Sequence, residues 1–139
     1  MKINEFEIPS ELASDLECGG RQLTTGELIR LKEMLTHVES PLPKLYSREE
    51  IRDANKLWGT ESAQFYLGGP SETVVPGDID PSQTLIIGQA EPDSPIALDY
   101  RKATPRVIYL GDVNCQTLWI ELGVDYASFA KSLRADTRD

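Results

Sequence analysis

The feature that most constrains this fold is a change of hydrophobic period part-way along the chain. Up to Gly59 the apolar residues recur at helical intervals. From Gln64 onward they gather in short runs rich in β-branched and aromatic residues: QFYL, TLIIG, IALDY, RVIYL and TLWIEL, bounded by Gly, Pro, Asp and Asn. Three of these runs fall between Gly77 and Leu110, separated by turns rich in Asp and Pro, which reads as a sheet core with an acidic rim. Between Pro70 and Tyr100 stand Glu72, Asp78, Asp80, Glu91, Asp93 and Asp99 with no Lys or Arg, so this stretch carries six of the chain's nine net negative charges.

Before the switch, the spacing predicts three helices. ELASDLE follows Pro9 and Ser10 and stops at Gly19 and Gly20. Thr24 with Glu27 makes a capping box, and Leu28, Leu31, Leu35 and Val38 extend an amphipathic helix over 25–39. SPLPKLY is a linker kept out of helix by its prolines, and Ser47 with Glu50 opens a third helix ending near Gly59, with Ile51, Ala54 and Trp58 on one face. After the strands, Asp125 caps a terminal helix carrying Tyr126, Phe129 and Leu133, and residues 134–139 form a frayed tail.

The loops between the strand runs are too short for parallel crossovers, and Pro76-Gly77, PDSP and GDVN supply turns, with Pro76-Gly77 fitting the centre of a type II turn. Helices, then strands, then a final helix define a single α+β domain over 1–139, with an antiparallel sheet of about five or six strands. A chain of 139 residues buries enough surface to fold without a metal or disulfide. Cys18 and Cys115 are far apart and outside any CxxC pattern, so they are expected to be reduced and structural.

The opening MKINEFEIPSEL lacks the pattern of a secretory signal, and no apolar run spans a bilayer, so a cytoplasmic protein is expected. The excess of 23 acidic over 14 basic residues disfavours direct nucleic-acid binding and suits a basic protein partner. With His37 as its only histidine, placed at a predicted helix end, the chain offers neither a nucleophile triad nor a histidine metal site. Phosphate-cradling glycine loops are absent. Asp78, Asp80, Ser82 and Thr84 alternate like the start of a calcium loop. The pattern then fails at Gln83 and Gln89, which favours a solvated turn. No cofactor, metal or catalytic set is expected. An unrecognised carboxylate pair, Asp93 with Asp99, is the remaining route to a hydrolase. Asp99 stands out because it interrupts an apolar strand, either hydrogen-bonded within the fold or facing a partner.

PGDIDP, LIIG, DSPIALDYR, PRVIYL and a WIEL segment followed by an aromatic-bearing helix together resemble the SUKH superfamily, and within it the Smi/Knr type named for fungal regulators of cell-wall synthesis. The matching residues are Gly77, Gly88, Leu98, Asp99, Tyr100, Pro105, Val107, Tyr109, Leu110, Trp119 and Phe129. The family's Asn-Gly-Gly type loop after the first helix has only Cys18-Gly19-Gly20 as a partial counterpart here. The resemblance implies an α+β domain without enzymatic activity, and in bacterial members an immunity protein that neutralises a toxin, often a nuclease. Combined with the charge pattern, it points to Asp78, Asp80, Glu91, Asp93, Asp99 and Arg101 as partner-binding residues. A regulatory or scaffold protein with an endogenous partner is the alternative.

Overall fold

Asn4 and Glu5 both adopt left-handed backbone angles, with φ of 51° and 72°, and close a two-residue turn between β1 (Lys2–Ile3) and β2 (Phe6–Glu7). This small hairpin was not anticipated from the sequence. The computed structural model describes residues 1–20, 22–56, 58 and 63–134. Of the expected tail, Arg134 closes the last helix and 135–139 lie outside the described residues, as does the expected helix stop at Gly59.

The helices follow their start signals. α1 (Ser10–Glu17) ends before Gly19 and Gly20, both at positive φ. α2 (Thr25–Met34) and α3 (Arg48–Asn55) each begin with a complete capping box, Thr24 with Glu27 and Ser47 with Glu50. α4 (Tyr126–Arg134) is capped by Asp125, whose carboxylate accepts the Ser128 N–H at 2.7 Å. α2 stops five residues short of the expected 39. The sheet uses the backbone beyond it: the His37 N–H donates to the Tyr109 hydroxyl, and the His37 carbonyl accepts the Asp112 N–H.

Among the described residues the main sheet has six strands, all antiparallel, in the order β3 (Lys44–Leu45), β5 (Thr84–Glu91), β6 (Ser94–Asp99), β7 (Arg106–Val113), β8 (Gln116–Gly123) and β4 (Pro76–Gly77). Its four long members are β5, β6, β7 and β8, as the apolar runs predicted. Two predicted features change. QFYL is not a strand, since Ala63–Phe65 form a single 3₁₀ turn. Pro76–Gly77 are not a turn centre but strand β4, paired with Ile120 and Trp119. The linker contributes β3 (Lys44–Leu45) against Gly88 and Gln89.

Alternate residues of the strands enter two separate cores. Leu85, Ile87, Ile96, Leu98, Val107 and Tyr109 pack with the helical residues Leu12, Leu31 and Phe129, while Ile86, Ala97, Ile108, Leu110 and Trp119 pack with Trp58, Ala63 and Ile79. Both faces are therefore covered, which explains why the strands read as nearly continuous apolar runs. Asn55 stands in for a missing strand partner: its side-chain amide donates to the Ile86 carbonyl at 2.9 Å and accepts the Ile86 N–H at 2.9 Å. None of the described helices is long and apolar enough to cross a membrane. Cys18 and Cys115 are free and exposed, so neither holds the structural place expected of it.

Candidate functional site

The six residues selected from sequence fall at two ends of the sheet. Asp78, Asp80, Asp99 and Arg101 lie where β6 ends and β5 begins, since Asp99 pairs with Thr84. Glu91 and Asp93 lie at the opposite β5-β6 turn, where Glu91 pairs with Ser94. A six-residue strand separates the two groups by about 20 Å. Asp93 and Asp99 consequently form no carboxylate pair.

In the first group Asp78, Asp99 and Arg101 form an ion network with Arg106 and Glu121. The Asp99 side chain is fully buried, with Oδ1 accepting from the backbone N–H and Nε of Arg101, and Oδ2 from Nη2 of Arg101 and Nε of Arg106. Arg101 reaches on to the Asp78 carboxylate at 3.1 Å and the Asp78 carbonyl at 2.7 Å, and Arg106 reaches Glu121 at 3.4 Å. Burial pushes the Asp99 pKa up, but the hydrogen bonds from Arg101 and Arg106 outweigh it and hold the group below the ordinary carboxylate value. A partner has no access to Asp99, and Arg101 is turned inward with its side chain 28% exposed. Asp80 accepts the N–H and hydroxyl of Ser82, and its carbonyl accepts the Thr84 hydroxyl. The calcium-like spacing is thus a capped 3₁₀ turn, Pro81–Gln83.

The second group opens into a cleft. Pairing between β6 and β7 stops at Ile96 and Tyr109, and the segment after α2 is held beside the diverging strands by its bonds to Tyr109 and Asp112. There is little room between them, because a Cβ on Gly111 would lie 3.0 Å from the His37 carbonyl oxygen. The resulting cleft of about 400 Å³ is lined by Glu39, Glu91, Asp93 and Asp112 together with His37, and no Lys or Arg among the described residues lines it. Glu91 accepts the Ser94 hydroxyl and the Asp93 N–H, and Asp112 accepts the Thr117 hydroxyl. Among the described residues none of these four carboxylates has a cationic partner, so the cleft concentrates negative potential.

Glu39, Asp112 and His37 were not selected from sequence. Asp112 sits in the GDVN turn signal, but only the β7-β8 register brings it opposite Thr117 and beside the β5-β6 turn. No group of three or more His, Cys, Asp or Glu with metal-binding geometry occurs among the described residues. Searches against protein-family models, curated proteins and solved structures gave no significant match to this chain.

Proposed function

We propose that this chain is a non-enzymatic, cytoplasmic protein-binding module of the SUKH type: an immunity protein that binds a basic bacterial toxin domain, with a nuclease as the fitting target class. The observation that carries this reading is the cleft where Glu39, Glu91, Asp93 and Asp112 converge without a Lys or Arg among them. A nuclease must present cationic side chains to phosphates. An acidic cleft of opposite field captures such a surface quickly and covers it, and the net charge of -9 adds long-range attraction. In this reading Glu91 and Asp93 contact the partner, Asp78 and Asp80 flank the opposite end, and Asp99 with Arg101 serves by holding the sheet together.

Co-expression with a panel of bacterial nuclease toxin domains tests the reading, with protection expected against at least one of them. Cells producing the wild-type chain are expected to survive, and cells producing a folded E91K/D93K variant are expected to die. Survival with the double charge reversal removes the cleft from the function.

A further inference from the structure

A second groove, of about 470 Å³, lies at the other end of the strands, between the β1-β2 hairpin, the loop after β6 and the start of α4. Its floor includes the tilted ring pair of Phe6 and Tyr100, whose centroids are 4.6 Å apart with 34° between the ring planes, together with Pro105. Its rim carries Glu5, Glu7, Glu11 and Asp125. Glu5, Glu7 and Glu11 are exposed, and no Lys or Arg among the described residues lines the groove. The amino group of Met1 lies 3.3 Å from Glu7, leaving Glu5, Glu11 and Asp125 without a cation among the described residues. The Asp125 carboxyl is held below its ordinary pKa by the Ser128 backbone N–H, so it is anionic at neutral pH.

Aromatic rings beneath a carboxylate rim match one side chain above others. A guanidinium is planar and weakly hydrated, stacks on aromatic faces and presents several N–H donors to carboxylates at its edge. We infer that this groove is a docking site for an arginine carried on an extended segment of a partner protein, separate from the acidic cleft. The occupant is fixed by charge complementarity: a neutral apolar segment would bury the rim carboxylates without partners, and an acidic one would be repelled. The volume fits a side chain with its flanking backbone.

The test is an amide-resolved NMR titration of the full chain with acetyl-Gly-Ser-Arg-Ser-Gly-amide, and with the same peptide carrying neutral citrulline in place of arginine. Saturable shifts are expected at Phe6, Tyr100 and Ala127 with the arginine peptide and none with citrulline. E5Q/E11Q removes two exposed charges and is expected to weaken binding about tenfold, whereas E39Q/E91Q in the cleft changes it by less than about twofold. Tyr100→Leu, with folding checked by its own amide spectrum, is expected to weaken binding as well. The assignment is overturned by shifts centred on His37 and Asp112, by equal binding of the citrulline peptide, or by unchanged affinity in E5Q/E11Q. Those results leave the toxin-survival experiment untouched, so the two readings fail separately.

Discussion

Asp99 and Arg106 face one another across β6 and β7, with Arg106 Nε 3.0 Å from Asp99 Oδ2 and both side chains buried. Removing the acid leaves Arg106, 8% exposed, without its closest counter-charge. Asp99→Asn is expected to cost about 3–5 kcal/mol of unfolding free energy, measured by urea denaturation. A stable variant that loses only partner binding would show Asp99 to be a contact residue instead.

The hydrogen bonds that Asp99 accepts from Arg101 and Arg106 predict an acid limit. Because the folded pKa of Asp99 lies below the ordinary carboxylate value of 3.8, the unfolded chain binds more protons in the window below about pH 4. The stabilisation is fully present above that value and is lost as pH falls through the folded pKa. Urea midpoints measured from pH 7 to pH 2 should fall in that lower window, with a shallower fall in Asp99→Asn.

Asn55 closes the edge of β5 with its side chain, donating to the Ile51 and Ile86 carbonyls and accepting from the Ile86 N–H. Asn55→Ala leaves buried backbone groups unpaired and is expected to destabilise by about 2–4 kcal/mol. Hydrogen exchange at the Ile86 amide should accelerate more than at Leu98. Equal protection in wild type and variant would contradict the bridging role.

Gly88 allows β3 to approach β5, because a Cβ there would lie 2.5 Å from the Lys44 carbonyl oxygen. Gly88→Ala is expected to separate the two strands and cost about 1–3 kcal/mol by calorimetry. An unchanged melting temperature would mean that the β3 edge is not fixed in solution.

Local chemistry was legible in the sequence. Both capping boxes, the Asp125 cap and the four long strands sit where their residue patterns placed them, since each depends on neighbours within a few positions. Non-local features were not. Lys44–Leu45 and Pro76–Gly77 are strands because of their partners rather than their own propensities, and α2 ends early because Tyr109 and Asp112 bind the backbone of His37. The site was half visible. The acidic excess was plain, but the long β5-β6 hairpin carries Glu91 and Asp93 away from Asp78 and Asp80, and register decides that Glu39 and Asp112 join them.

The most direct test of the acidic cleft is the dissociation constant for a nuclease toxin domain that the chain neutralises, measured by calorimetry at low and high salt for wild type and E91K/D93K. The cleft predicts tight binding that weakens as salt rises, and a loss of about a hundredfold in the variant. Salt-independent binding that the charge reversal leaves unchanged would contradict it.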